Sequence, residues 1–229
     1  MAATLTVTSL ADDGSAGTLR STITAAAAND TIAFTPTGII TLTGGELLVD
    51  KSLVINAAGI TLQGGGAGRV LRLASGAALE LSGSAAQPVR VSGGVASSGG
   101  GIDSAGTLTV ENAVITGNSA TIGGGLFAEQ TAGPTSLTNV VVENNAARDG
   151  AGLANGTFAG GGSAMSLTDC IVRNNVASGG GPFADNEGGG ILNLSTLTVA
   201  TSQITGNSAG VGGGIYSATT LGGIALSLV

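Results

Sequence analysis

The chain of 229 residues contains no histidine and no tryptophan, one cysteine, four prolines, four phenylalanines and one tyrosine. Each scarcity removes a class of function. Without histidine there is no side chain that ordinarily exchanges protons near neutral pH, and no imidazole to bind a metal. The lone Cys170 cannot build a disulfide framework within the chain. With no histidine to activate it, this thiol reads as a small packed residue. Seven Lys and Arg stand against fourteen Asp and Glu, a net charge of −7, so there is no basic patch for nucleic acid. No run of eighteen apolar residues occurs, so no membrane span is expected. The first residues show no basic segment followed by an apolar one. Met1-Ala-Ala is compatible with a start placed ahead of a mature exported domain and with a cytoplasmic protein. No cofactor is implied.

Glycine is what the chain has most conspicuously, 42 residues, and it recurs in register with asparagine. The segments Val114-Ile-Thr-Gly-Asn118-Ser-Ala, Val141-Val-Glu-Asn-Asn145-Ala-Ala, Ile171-Val-Arg-Asn-Asn175-Val-Ala and Gln203-Ile-Thr-Gly-Asn207-Ser-Ala align without a gap, at spacings of 27, 30 and 32 residues. Five residues after each Asn the alignment places a glycine-led apolar step. These steps are Gly123-Gly124-Gly-Leu126, Gly150-Ala-Gly-Leu153, Gly180-Gly-Pro-Phe183 and Gly212-Gly213-Gly-Ile215. Repeats of this length signal a stacked architecture, and so much glycine excludes a helical one. The runs between bends are short and β-branched, such as Leu108-Thr-Val110 with Val114-Ile-Thr116. One such coil cannot bury its apolar side alone, so coils must stack strand on strand.

Stacking predicts columns. Val110, Leu137, Leu167 and Val199 form one inward column, and Ile115, Val142, Val172 and Ile204 a second. The Asn ladder Asn118, Asn145, Asn175 and Asn207 can hydrogen-bond along the axis, and Asn tolerates the left-handed backbone of a bend. A second bend column holds Asn112, Asn139, Asp169 and Thr201. Glu143 falls directly under Arg173, close enough for an ion pair at a strand spacing of about 4.8 Å. At about 25 residues per coil the chain makes roughly nine coils, a rod near 40 Å long.

Residues 1–36 read differently, as a cap continuous with coils over 37–229, whose Asn/Gly repeats become clear from about residue 99. Leu5-Thr-Val-Thr8 alternates like an edge strand, and Thr18 to Ala28 suits a helix with Leu19, Ile23 and Ala26 on one face. Such a helix would cover the exposed first coil.

The stretch Val7-Thr-Ser-Leu-Ala-Asp-Asp13, Gly17-Thr-Leu-Arg20, Ile23, Ala26 and Asp30-Thr-Ile-Ala-Phe34 resembles the N-terminal module of bacterial surface proteins named for a Cys-Ser-Leu-Arg-Glu-Ala-Ile motif. Gly17-Thr18 and Ser21-Thr22 replace its Cys-Ser and Glu-Ala. The later Gly-Gly-Gly-Ile/Leu and Ile-Thr-Gly-Asn units are similar to the repeats of polymorphic outer-membrane autotransporters. Both resemblances imply an exported, surface-displayed, right-handed single-stranded parallel β-helix. The expected fold class is therefore all-β, a β-solenoid with a short N-terminal capping helix. In this setting Arg20 and Asp30 are expected to pair beneath the cap.

Sugar-cleaving chemistry on such a scaffold needs paired carboxylates, or a metal site beside a base. The candidates are Asp12-Asp13, Asp103 with Glu129, and Asp185-x-Glu187. The first reads as a turn and the last lacks calcium-site spacing. Phe127, Phe158, Phe183 and Tyr216 flank the glycine steps, either as exposed contacts for sugars or proteins, or folded down as core, with Phe183 in the place of Leu126. The apolar run to Val229 carries no amphipathic cap, so either a longer protein continues it or the end docks on another copy. The expectation is a non-enzymatic, extracellular structural or adhesive module of the bacterial cell surface. Its expected partners are itself, head to tail into filaments, or surface glycans and host or neighbour-cell proteins. The alternative is a carbohydrate-binding or polysaccharide-cleaving β-helix that uses the loop-rich side around 150–190.

Overall fold

Short β-branched runs punctuated by Gly and Asn become strands of two to ten residues that stack into a parallel β-solenoid in the computed structural model. The structure describes residues 2–66, 68–130, 132–157, 163–179, 186–218 and 225–228. One sheet runs in the order Thr4–Val7, Asp30–Phe34, Leu53–Asn56, Ala78–Ser82, Thr107–Thr116, Thr135–Glu143, Met165–Thr168, Thr196–Ala200 and Ala225–Leu228. A second, seven-stranded sheet runs from Leu47–Val49 through Leu71–Leu73, Ile102–Ser104, Leu126–Ala128, Leu153–Asn155 and Ile191–Asn193 to Ile215–Ser217. A third, of three strands, is Ser119–Ile122, Ala146–Asp149 and Val176–Ala177.

Among the described residues these make about seven turns, where the average spacing predicts about nine. The difference lies in the cap and in unequal coils. In the second sheet Leu47 pairs with Leu71, 24 residues on, but Leu153 pairs with Ile191, 38 residues on.

The inward columns stand as the pattern predicts. Val110 pairs with Leu137, Leu137 with Leu167 and Leu167 with Val199, all buried. Ile115, Val142, Val172 and Ile204 follow one another likewise. Each fully buried Leu, Ile or Val contributes about 1.5–3 kcal/mol.

The helix is shorter than its sequence suggests, Leu19–Ala25, with Thr18 as its N-cap accepting from the Ser21 N–H. Leu19, Ile23 and Ala26 are buried in the main core, closing its first end. The helix stops where Ala26 turns extended, and Lys51 Nζ donates to the carbonyls of Ile23, Thr24 and Ala26. Arg20 does not meet Asp30. Its guanidinium grips Asp12 through both carboxylate oxygens, and Asp30 instead accepts the N–H groups of Ala3 and Ala27. Proximity decided this: Asp12 lies in the turn that runs past the helix, while Asp30 is held by its own strand start.

One glycine step also moves. The column Leu126–Leu153 continues to Ile191, so the turn of that coil is Gly188-Gly189-Gly190, and Phe183 is not the counterpart of Leu126. The backbone of Gly188, at φ +67°, matches Gly123 at +64°, Gly150 at +59° and Gly212 at +65°. Gly180 and Phe183 lie outside the described residues. An eight-residue insertion ahead of the true step defeats the fixed five-residue offset.

Candidate functional site: axial ladders and a buried charge network

The polar side chains of this rod point along its axis. Asn118 Nδ2 donates to Asn145 Oδ1 at 3.0 Å, Asn145 Nδ2 to Asn175 Oδ1 at 3.0 Å and Asn175 Nδ2 to Asn207 Oδ1 at 2.9 Å. Each amide also donates to a backbone carbonyl of the neighbouring coil, Val91, Ile115, Val142 and Val172 in turn. Each of the first three rungs sends its own N–H to the next rung's Oδ1, and Gly94 N–H starts the series on Asn118 Oδ1. Asn118, Asn145 and Asn175 are buried, so these bonds replace water that cannot reach them.

The left-handed bend falls one residue earlier than a bend-forming Asn ladder implies. Gly117, Asn144, Asn174 and Gly206 carry φ between +54° and +65°, leaving the ladder residue free to aim inward. The second column is left-handed itself: Asn112, Asn139, Asp169 and Thr201 lie at +50°, +52°, +54° and +48°. There Asn139 donates to Asn112 at 2.7 Å and the Thr201 hydroxyl to Asp169. Arg173 meets Glu143 at 2.7 Å on the outer face.

A third ladder was overlooked by sequence reasoning. Asn155 Nδ2 donates to Asn193 Oδ1 at 3.1 Å and Asn193 Nδ2 to Ser217 Oγ at 3.0 Å, with both asparagines fully buried. Its signal was present in the last three steps, a polar residue three places after the last glycine: Gly152 to Asn155, Gly190 to Asn193, Gly214 to Ser217; after Gly125 that place holds Ala128. The misplaced step at Gly180 concealed it.

One linked set of ion pairs spans the first four strands of the second sheet. Arg69 binds Glu46 at 2.6 Å and Asp103 at 2.7 Å, and Arg72 binds Asp103 at 2.8 Å and Glu129 at 2.9 Å. Asp103 and Glu129, paired in the sequence as candidate carboxylates, are thus brought to either side of Arg72. The arginines and Glu46 had no such sequence signal. The Asp103 side chain is wholly buried. Its Oδ2 takes Arg69, Arg72 and the Ser98 hydroxyl, while Oδ1 has no partner. Burial pushes this carboxyl up to about 6 against the pull of Arg69, and Glu129 adds to the rise. Two guanidiniums fail to reverse that cost because each is shared with a second carboxylate.

Asp12 is held low: burial opposes this, but the Arg20 guanidinium and the Gly44 and Thr43 N–H groups prevail. Asp13 accepts the Ser15 N–H in the expected turn. Asp185 lies outside the described residues, and Glu187 N–H donates to Asp149.

Among the aromatics, Phe127 is 5% exposed, buried with Ala154, Leu192 and Leu194, and Tyr216 packs half-buried on the same cluster. These two are packing residues rather than exposed contacts. Phe158 lies outside the described residues. Cys170 is buried, and burial raises its thiol.

Gly124 and Gly213 occupy the second place of their steps, and a Cβ on Gly124 would meet the Ala151 carbonyl at 2.6 Å. The last glycine is equally constrained: on Gly152 a Cβ would lie 2.5 Å from the Gly190 carbonyl of the next coil. No protein-family model matches this chain, and neither a curated protein nor a solved structure is significantly similar to it.

Proposed function

We propose that this solenoid is a non-enzymatic structural and adhesive module of a bacterial cell surface, a stiff spacer able to stack end to end. The observation that carries the reading is where the polar groups are spent. Six of the seven cations are in ion pairs among the described residues, and the pairs of Arg69, Arg72 and Arg173 join one coil to another. Three columns of amides and hydroxyls do the same work inside and at the bends. Groups committed to axial ties are groups withheld from substrate chemistry, and they resist shear between coils. The resemblance of the Leu19-Arg20 and Asp30-Thr-Ile-Ala-Phe34 segments to exported surface modules supports the location. Sheets whose strands all run one way repeat on translation along the axis, so a second copy placed there continues them.

Negative-stain electron microscopy across a concentration series tests the assembly. Filaments of uniform width are expected, and discrete short rods at every concentration would remove stacking from the proposal. Turnover of any member of an acidic-polysaccharide panel would overturn the non-enzymatic reading.

A further inference from the structure

Five side chains, Glu46, Arg69, Asp103, Arg72 and Glu129, form one alternating series across four turns of the rod. Three carboxylates and two guanidiniums leave it one negative charge over. Glu46 and Glu129 are 36% and 27% exposed, so water moderates their charge, whereas Asp103 has no exposed surface. All three donors reaching Asp103 converge on Oδ2, and Oδ1 is buried without a partner. A proton bound at Oδ1 therefore displaces nothing.

We propose that this series is a proton-operated clasp: in mildly acidic surroundings Asp103 takes up one proton on Oδ1, the network becomes charge-balanced, and the four turns it joins hold together more tightly. The groups facing Asp103 from the packed elements are consistent with one titrating member. Arg72 comes from the strand below, Arg69 from the turn before that strand and Ser98 from the turn before Asp103 itself. Glu129 follows the strand above, and Phe127 stacks directly over Asp103. Glu46 reaches the site through Arg69.

The sign follows from linkage. The native carboxyl binds its proton at about 6 and the ordinary carboxyl at 3.8, so between these values the folded chain holds a proton that the unfolded chain does not. Stability from this group is fully present below 3.8 and is lost as pH rises through about 6. A displacement of about two pH units corresponds to up to roughly a 100-fold change in the folding equilibrium. The chain has no histidine, so no ordinary side chain competes for the same window.

The test is thermal unfolding of the full chain between pH 4.5 and 8, alongside carbon NMR of the carboxyl groups. The wild type is expected to melt at higher temperature at pH 5 than at pH 7, with one buried carboxyl titrating near pH 6. Asp103→Asn, which keeps the shape and removes the titration, is expected to lose that rise. Glu129→Gln, which balances the network without a proton, is expected to move the midpoint to lower pH, and it decides the matter if Asp103→Asn does not fold. A wild-type melting temperature that stays level or falls from pH 7 to 5 would overturn the proposal. So would a rise that survives in Asp103→Asn, or a midpoint unmoved in Glu129→Gln.

Discussion

Replacing Asn145 by Leu keeps the volume of the side chain and removes its polarity, which isolates the worth of one ladder rung. Four hydrogen bonds disappear: two donated by Asn145 Nδ2, to Ile115 O and Asn175 Oδ1, and two accepted by Oδ1 from Asn118 N and Nδ2. Some partners have alternatives. Asn118 Nδ2 keeps Val91 O, and Asn175 Oδ1 keeps the Asn145 N–H. The Asn118 N–H is left buried without its acceptor, and Ile115 O loses a donor. At about 1–3 kcal/mol for each buried group so stranded, the expected loss is roughly 2–5 kcal/mol. For a chain of this size that is a drop in Tm of roughly 5–20 °C. Far-UV circular dichroism with heat, repeated in urea, measures it. Asn175→Leu is expected to cost a similar amount. The double variant should cost less than the two singles together, because both delete the same Asn145–Asn175 bond. A single loss under about 1 kcal/mol, or strict additivity, would refute a cooperative buried ladder.

Other substitutions probe the bends and the surface. Gly117 is left-handed with open space around a Cβ, and Asn144 and Asn174 occupy the same place in the next coils, so Gly117→Asn should change stability by no more than about 0.5 kcal/mol. Gly152→Ala, whose Cβ would press into the Gly190 carbonyl, should cost about 3 kcal/mol or fail to fold, both read by the same melts. Thr201 is β-branched at φ +48°, a strained conformation that asparagine tolerates, so Thr201→Asn should stabilise by about 0.5–1 kcal/mol in urea titration. Arg173→Met breaks an ion pair whose arginine is 47% exposed. It should cost about 1 kcal/mol or less, and the cost should shrink in high salt.

Repetition made the second half of the chain legible. Four aligned Asn segments placed the inward columns, the stacked asparagines and the Glu143–Arg173 contact at the register the strands adopt, because a stacked coil forces like residues over like. The alignment failed where spacing was treated as fixed. A solenoid fixes the residues within its strands but lets turns lengthen outward, so the true step at Gly188 slipped past, and with it the Asn155–Asn193 ladder. The first half has no such repeat. Arg69, Arg72, Asp103 and Glu129 come together only because coils of unequal length superimpose them, and nothing in the local sequence announces that. The Arg20 partner was misjudged for a related reason: Asp12 and Asp30 lie at comparable distances along the chain, and only the path of the turn separates them.

The two kinds of polar tie divide the rod between them. Apolar columns of Leu, Ile and Val do not by themselves fix which coil residue lies over which, since a slip of two residues keeps every apolar side chain inward. A buried amide or carboxylate does fix it, because a slipped register leaves it without partners. From Gly94 to Asn207 that role falls to uncharged amides. Over the turns from Glu46 to Glu129 it falls to charges, the two devices overlap between Gly94 and Glu129, and the exposed Glu143–Arg173 pair adds one charged tie among the amides. Salt screens exposed charges and protons neutralise carboxylates, whereas amides respond to neither at ordinary pH. Changes of pH and ionic strength therefore act most on the first half of this solenoid; in the Asn-laddered half they reach the exposed Glu143–Arg173 pair, while the buried amides keep the register.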